Sequence, residues 1–315
     1  MSVSARPAGP LLVVVGPTAT GKTAAALGLA HELGGELVGA DSVQVYRGFD
    51  IGSAKPTPEE LGGVAHHLID VADPDETLDA MRYAALADEA IAEIRGRQHV
   101  PIVVGGTGLW LRALLRGLVD VPLPDPSIRA ALDEEAERGG PARMHARLAA
   151  IDPRAAAVIH PNDRLRIVRA LEVFEQTGTP MGELRAAHAL GAPRYDALVV
   201  SLDLPRDEHA RRVATRTATM IARGLADEVR GLVARWGEQV RPLGAVGYRE
   251  MLVHVTGGEP LEETARKIER STRIYARRQR TWLKNEPGTT VQTTADELSE
   301  TPALRARIRA HVRPG

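Results

Sequence analysis

Leu11-Leu12-Val13-Val14-Val15-Gly16-Pro17-Thr18-Ala19-Thr20-Gly21-Lys22-Thr23 runs straight into Ala24 to Leu33, a segment rich in Ala and Leu. The opening residues form an apolar, β-branched run that suits a buried strand. Gly16 to Thr23 fits G-x-x-x-x-G-K-[ST], and the residues after it read as helix. Strand, loop and helix in this order are the context in which that pattern cradles phosphate. The glycines let the backbone turn tightly, so N–H groups point into one concavity. The helix N-terminus adds the positive end of its dipole. Lys22 supplies a point charge, and the Thr23 hydroxyl suits Mg²⁺. The motif implies a bound polyphosphate. It leaves open which one, and which bond breaks.

Composition narrows the class. The chain has 315 residues, 43% hydrophobic and 26% charged, in the ordinary range for a globular protein of one large or two modest domains. No apolar run is long enough to span a membrane. Met1 to Pro10 lacks an apolar core, so a frayed start is expected and not a signal peptide. The absence of Cys rules out disulfides and thiolate zinc sites and fits a cytoplasmic protein. A net charge of −1 means that any nucleic-acid contact must be local, and 3% aromatic residues argue against long stacking platforms.

Downstream, strands and helices alternate, which gives an α/β fold: a parallel sheet of the P-loop type. Glu36 to Ala40 reads as a strand ending at Asp41-Ser42, where ligand-facing residues sit in such sheets, although Asp41 taken alone reads more readily as an Asx turn or a helix cap. Val43, Gln44, Val45 and Tyr46 follow, then the Gly/Pro-punctuated loop Ile51 to Pro56. His66 to Val71 reads as another strand; adjacent histidines there point to opposite faces and make a poor metal pair. Asp79 to Arg97 is amphipathic helix. Pro101 to Val104 is a buried strand running into Gly105-Gly106-Thr107-Gly108, which places Thr107 on the edge shared by Lys22 and Asp41.

Composition then changes. Val121-Pro122-Leu123-Pro124-Asp125-Pro126 reads as a rigid linker, and residues 127 to about 190 read as helices only, broken at Pro161-Asn162-Asp163. The expected division is a core of 1–118 and 195–315 with an all-α insertion of 119–194. Tyr195 to Asp203 returns to the sheet. Pro205 to Trp236 is a long helical region in which Arg212 and Arg216, at i and i+4, share a face that could grip a diphosphate. Thr264 to Glu286 carries eight Lys/Arg, among them Arg277 and Arg278, against Glu269 and Glu286, with Tyr275 and Trp282 interleaved. That is the strongest nucleic-acid signal in the chain. Residues from Thr289 read as a loop and a loose terminal helix.

These blocks in this order resemble the bacterial tRNA dimethylallyltransferases, also called tRNA isopentenyltransferases. The resemblance rests on Gly16 to Thr23, Asp41 to Tyr46, Ile51 to Pro56, His66 to Val71, Pro101 to Leu109, Pro161-Asn162-Asp163 with Arg164 to Val173, Val246-Gly247-Tyr248-Arg249-Glu250 and Tyr275 to Trp282. Phe49, Ser53 and Leu283-Lys284 depart from the usual Met, Thr and Phe-Arg. The resemblance implies transfer of a dimethylallyl group from dimethylallyl diphosphate to N6 of the adenosine 3′ of the anticodon, in tRNAs reading codons that begin with U, with Mg²⁺ at Thr23. It implies Asp41 as general base, assisted by Lys22 and Thr107. Gly16, Pro17, Thr18, Ala19, Thr20, Gly21, Lys22, Thr23, Arg212 and Arg216 would hold the diphosphate. Asp41, Ser42, Val43, Gln44, Thr107, Arg129, Asn162, Asp163, Arg164, Arg166, Tyr248, Arg249, Arg277 and Arg278 would contact the tRNA anticodon stem-loop. A monomer is expected.

Three rival readings share the P-loop: a small-molecule kinase using ATP, an adenylate isopentenyltransferase acting on free nucleotides, and a non-catalytic RNA-binding nucleotide switch. The helical insertion and the basic Tyr/Trp helix are superfluous to the first two. Asp41 and Thr107 at strand ends disfavour the third.

Overall fold

The computed structural model describes residues 9–188, 193–286 and 289–312; the expected frayed start up to residue 8 and the end of the expected helix at Ala189 lie outside them. In chain order the elements are β1 (Pro10–Val15), α1 (Lys22–Leu33), β2 (Gly35–Ala40), α2 (Pro58–Leu61), β3 (His66–His67), α3 (Ala80–Gly96), β4 (Val100–Gly105) and α4 (Gly108–Arg116). There follow α5 (Pro126–Ile151), α6 (Pro153–Val158), α7 (Arg164–Thr177) and α8 (Met181–His188). The chain ends with β5 (Asp196–Leu202), α9 (Arg206–Ala222), α10 (Leu225–Trp236), α11 (Tyr248–Gly257), α12 (Leu261–Asn285), β6 (Thr289–Thr293), α13 (Ala295–Glu300) and α14 (Pro302–Val312). No helix of the described residues is long and apolar enough to cross a membrane.

Two compact units emerge, Met1–Leu115 with Pro193–Gly315, and Arg116–Ala192. In the first, six parallel strands lie in the order β3-β2-β4-β1-β5-β6. Each of the central strands is covered on both faces, which is why their sequences are continuous apolar runs and not alternating ones. Leu12, Val14, Ile102, Val104, Leu198 and Val200 meet Ala26, Leu29, Ala30 and Leu33 of α1 in the core. The register pairs Val15 with Gly105 and Ala40 with Gly105, so the loops after β1, β2 and β4 leave the sheet side by side.

Two expectations are corrected here. The strand expected over His66 to Val71 stops at His67, because Leu68 and Asp70 turn into left-handed backbone (φ 62 and 54) that no ladder continues. His67 Nε2 lies 2.6 Å from Glu36, which Arg97 and His99 also bind. The region Pro205 to Trp236 is helical as expected, in two helices that meet at Gly224 (φ 94). Finally, the stretch after Thr289 is no loose tail. It adds β6 in parallel to β5, then α13 and α14, whose Leu298 and Ile308 enter the main core.

In the second unit, α5 bends at Gly140-Pro141, since Gly140 is non-helical (φ 71) and proline cannot donate within a helix. Leu132, Met144, Leu148, Ile167, Val168 and Leu171 form its core.

Candidate active site

The loop after β1 takes its shape from its own backbone. Gly16 (φ 152) lies so close to β5 that a Cβ there would stand 2.3 Å from the Leu202 carbonyl oxygen. Thr20 Oγ1 donates to the Pro17 carbonyl at 2.9 Å, and Lys22 Nζ donates to the same oxygen at 2.8 Å. Burial pushes the Lys22 amine down to about 8; Asp41 pulls it up and Arg216 pushes it further down. A cavity of about 560 Å³ opens at the mouth of the loop, lined by Ala19, Gly21, Glu208, Arg211, Arg212, Thr215 and Arg216. The expected i, i+4 arginine pair therefore does face the phosphate loop. Arg212 is held there by Glu208 at 2.8 Å, and Arg216 by the Ser53 carbonyl at 3.2 Å.

The loop after β2 begins with an Asx turn: Asp41 Oδ1 accepts the N–H of Val43 at 2.9 Å and of Gln44 at 3.3 Å. Asp41 thus has the local structure that its sequence context allows, and it also stands in the field of Lys22 and Arg216. Thr107 Oγ1 accepts the Ser42 N–H at 3.0 Å, while the amides of Gly106 and Thr107 both donate to the Ala40 carbonyl. The turn after β4 and the turn after β2 are thereby joined. Gln44 spends its side-chain amide on the carbonyls of Ser53 and Ala54, both at 3.1 Å.

Distant residues hold the rest of this loop. The Glu228 carboxylate accepts the consecutive N–H groups of Asp50, Ile51 and Gly52 at 3.1, 2.6 and 3.1 Å. Lys55, with a 6% exposed side chain, joins Asp50 and Asp70, each at 2.6 Å. Tyr248 corrects the sequence reading. It is 0% exposed, and its hydroxyl donates to Glu228 at 2.7 Å and accepts the Ser53 N–H at 3.2 Å. A ring so enclosed supports the loop and offers no surface to an RNA. Its neighbour Arg249 is partly exposed and pairs with Glu250 at 2.6 Å.

Helix α12 divides its labour by face. Tyr275, Gln279 and Trp282, spaced i, i+4, i+7, look inward, and Arg277 and Arg278 are exposed. Burial and the nearby Asp41 push the Tyr275 hydroxyl far above its usual range. The aromatic residues that read as part of an RNA surface thus belong to the inner face. Arg280 pairs with Asp203 at 2.8 Å, Arg273 with Glu269 at 3.4 Å, and Arg266 and Lys267 with Glu263 and Glu259. Among the described residues Arg270, Arg277, Arg278 and Lys284 form no ion pair, which leaves their charge available to an anionic partner.

The expected residues of the second unit make a group of their own. Asp163 caps α7, accepting the Arg166 N–H at 3.3 Å, and pairs with the Arg166 guanidinium. Arg164 binds Asp133 at 2.8 Å, and Asn162 is exposed. Arg129 donates to the buried Glu172 at 2.8 Å, as does Arg169, so part of its role is to neutralise a core carboxylate.

The family model described as IPP transferase matches residues 44–286. The chain belongs to the IPP transferase family. It is 54% identical over 278 residues to a tRNA dimethylallyltransferase of Anaeromyxobacter sp. (strain K), a match spanning 88% of this chain and 91% of that one. Among solved structures it is similar to the full-length tRNA isopentenylpyrophosphate transferase of Bacillus halodurans, at 35% identity and a TM-score of 0.68, with 96% of each chain covered. A eukaryotic dimethylallyltransferase acting on tRNA superposes with a TM-score of 0.77 at 26% identity, over 96% of this chain and 78% of that one.

As a member of this family, the chain is a transferase with a P-loop-type parallel sheet. Several residues of its site escaped the sequence reading. Glu228, and His209, whose Nε2 lies 2.9 Å from the Thr18 carbonyl oxygen, carry no local signal, because each is one acidic or basic residue on an amphipathic helix rich in both. Gln279 had one: it is the uncharged polar residue in the run Arg277-Arg278-Gln279-Arg280, in helical phase with Tyr275 and Trp282.

Proposed function

We propose that the chain transfers a dimethylallyl group from dimethylallyl diphosphate to N6 of the adenosine 3′-adjacent to the anticodon, in tRNAs reading codons that begin with U, with release of pyrophosphate. The observation that carries this reading is the meeting of Lys22, Arg216 and Asp41, two cations for a leaving diphosphate beside one carboxylate for a proton. The N6–C bond forms as the C–O bond of the diphosphate breaks, its electron pair leaving with the pyrophosphate, and the N6 proton passes to Asp41. Loop amides between Gly16 and Thr23, Lys22, Arg212 and Arg216 stabilise the departing charge. Thr107, tied to Ser42, orients the amine.

The Thr23 hydroxyl fits Mg²⁺. It lies in the first turn of α1 and has no protein partner among the described residues. A hard cation of this kind takes one or two protein oxygens and fills its shell with phosphate oxygens and water. Bound there, Mg²⁺ would neutralise charge on the diphosphate.

The acceptor base leaves the anticodon stack to reach Asp41, Ser42, Val43 and Gln44. Arg129, Asn162, Asp163, Arg164, Arg166, Arg249, Arg277 and Arg278 hold the stem-loop, and the enzyme works as a cytoplasmic monomer. Mass spectrometry of tRNA nucleosides after incubation with dimethylallyl diphosphate and Mg²⁺ tests the reading. The expected product is N6-(dimethylallyl)adenosine, matched one-to-one by pyrophosphate. ATP turnover driven by a small metabolite, with no pyrophosphate from the isoprenoid, would make the protein a kinase instead.

A further inference from the structure

One side chain joins the diphosphate loop to the loop that carries the base. Gln279, 8% exposed on the inner face of α12, accepts the Thr18 N–H through Oε1 at 2.9 Å and donates through Nε2 to the Gly106 carbonyl at 3.0 Å. Thr18 belongs to the loop after β1, and Gly106 begins the turn whose Thr107 holds Ser42, next to Asp41. The fit leaves no slack, since a Cβ on Gly106 would stand 2.3 Å from Gln279 Nε2. In the next peptide group, His209 Nε2 lies 2.9 Å from the Thr18 carbonyl oxygen. Its partner is a pure acceptor, so this nitrogen carries the proton. Burial keeps His209 below its usual pKa and therefore neutral at physiological pH. One residue of the phosphate loop is thus gripped at both its N–H and its C=O, in two successive peptide groups, by α12 and α9, the helices that also carry Arg277, Arg278, Arg212 and Arg216.

We infer that Gln279 is a positioning residue: it sets the separation between the diphosphate loop and the Asp41–Thr107 turns, and it ties that separation to α12. The inference rests on the proposed transfer reaction. Gln279 acts through two backbone groups and touches no reacting atom. Its lever is geometric, because a displacement on the order of 1 Å between reacting groups costs about 100-fold in rate.

Gln279→Met keeps the length and burial of the side chain and removes both hydrogen bonds; Gln279→Glu keeps the acceptor for Thr18 and removes the donor to Gly106. In Gln279→Met, single-turnover transfer should fall roughly 10- to 100-fold. Affinity for the anticodon stem-loop should stay within about twofold, and amide exchange of a peptide spanning Thr18 should quicken. Gln279→Glu should lose rate in the same way and keep the Thr18 amide protected. Wild-type single-turnover rate in either folded variant would overturn the proposal, as would a loss of rate matched by an equal loss of RNA affinity. Should Gln279→Met fail to fold, Gln279→Glu decides the matter by the same rate. If the wild-type protein makes no prenylated adenosine, the reaction assignment falls, and exchange at Thr18 together with inorganic pyrophosphate affinity still tests the clasp.

Discussion

The diphosphate loop, Gly16 to Thr23, and the base-carrying loop, Asp41 to Pro56, leave parallel strands on either side of β4 and are stabilised in different ways. The first is almost self-sufficient. Its turns rest on glycine backbone and on bonds from Thr20 and Lys22 to Pro17, three and five residues away. The second also bonds within itself, through Asp41 to the Val43 and Gln44 amides and through Gln44 to the Ser53 and Ala54 carbonyls, but the amides of residues 50–53 draw on distant side chains. Glu228 and Tyr248 satisfy its amides from 176 to 195 residues further along the chain. A self-supporting loop concentrates its requirements into a few consecutive residues and so leaves a motif. A borrowed one scatters them over helices that look ordinary. Thr18 is where the two schemes meet: among the described residues, its N–H and C=O are the groups of the first loop that distant side chains bind.

The sharpest test of the division is chemical. Asp41→Asn keeps the acceptor atom for the Val43 and Gln44 amides and removes the base, so single-turnover transfer should fall about 10²- to 10⁴-fold while tRNA affinity holds. Near-normal turnover would take Asp41 out of the mechanism and leave it as a turn residue.

Next in size is the borrowed support. Glu228→Ala strands three amides and the Tyr248 hydroxyl, and losing partners of buried groups costs about 1–3 kcal/mol each at most, less where water enters. Denaturant unfolding should register a loss of a few kcal/mol in all, with inorganic pyrophosphate affinity little changed. An equal fall in pyrophosphate affinity would show that the two loops are not supported independently.

The self-supporting loop has its own signature in pH. Burial lowers the Lys22 pKa to about 8, so the charged form that binds an anion is present below that value and lost as pH rises through it. Pyrophosphate affinity of the free protein should therefore drop about tenfold between pH 7 and pH 9. Lys22→Arg, charged throughout, should be nearly flat over the same interval once the titration of pyrophosphate itself is subtracted. A slope shared by both proteins would mean that the charge of Lys22 is not what the anion reads.

The smallest effect concerns the outer face of α12. Replacing Arg277 and Arg278 by Ala should reduce the salt slope of tRNA binding by about one unit for each phosphate that the helix no longer neutralises, with pyrophosphate affinity unaltered. An unchanged slope would place the RNA elsewhere.

Legibility followed the same division. The strands β1, β2, β4 and β5 announce themselves because burial on both faces demands mostly apolar residues. The edge strands do not: β3 has two residues before Leu68 turns left-handed, and β6 reads Thr-Thr-Val-Gln-Thr, too polar to stand out from a loop. Tyr248 misled for a related reason. A tyrosine in a Gly-Tyr-Arg-Glu turn looks like surface, and only the packing of Phe49 against its ring, 4.8 Å between centroids, shows that it is core.

The phosphate loop, the parallel sheet behind it and the placing of Asp41 and Thr107 at strand ends are legible in the residues alone, because those features depend on neighbours in the chain and on the periodicity of burial. Tertiary structure alone decided which helix faces turn inward, so that Gln279 and His209 grip Thr18, Glu228 fills the amides of residues 50–52, and Arg216 meets Ser53. The reason is physical. A backbone N–H or C=O accepts any partner of the right polarity, so its demand is written in the fold and not in the identity of the residue that bears it.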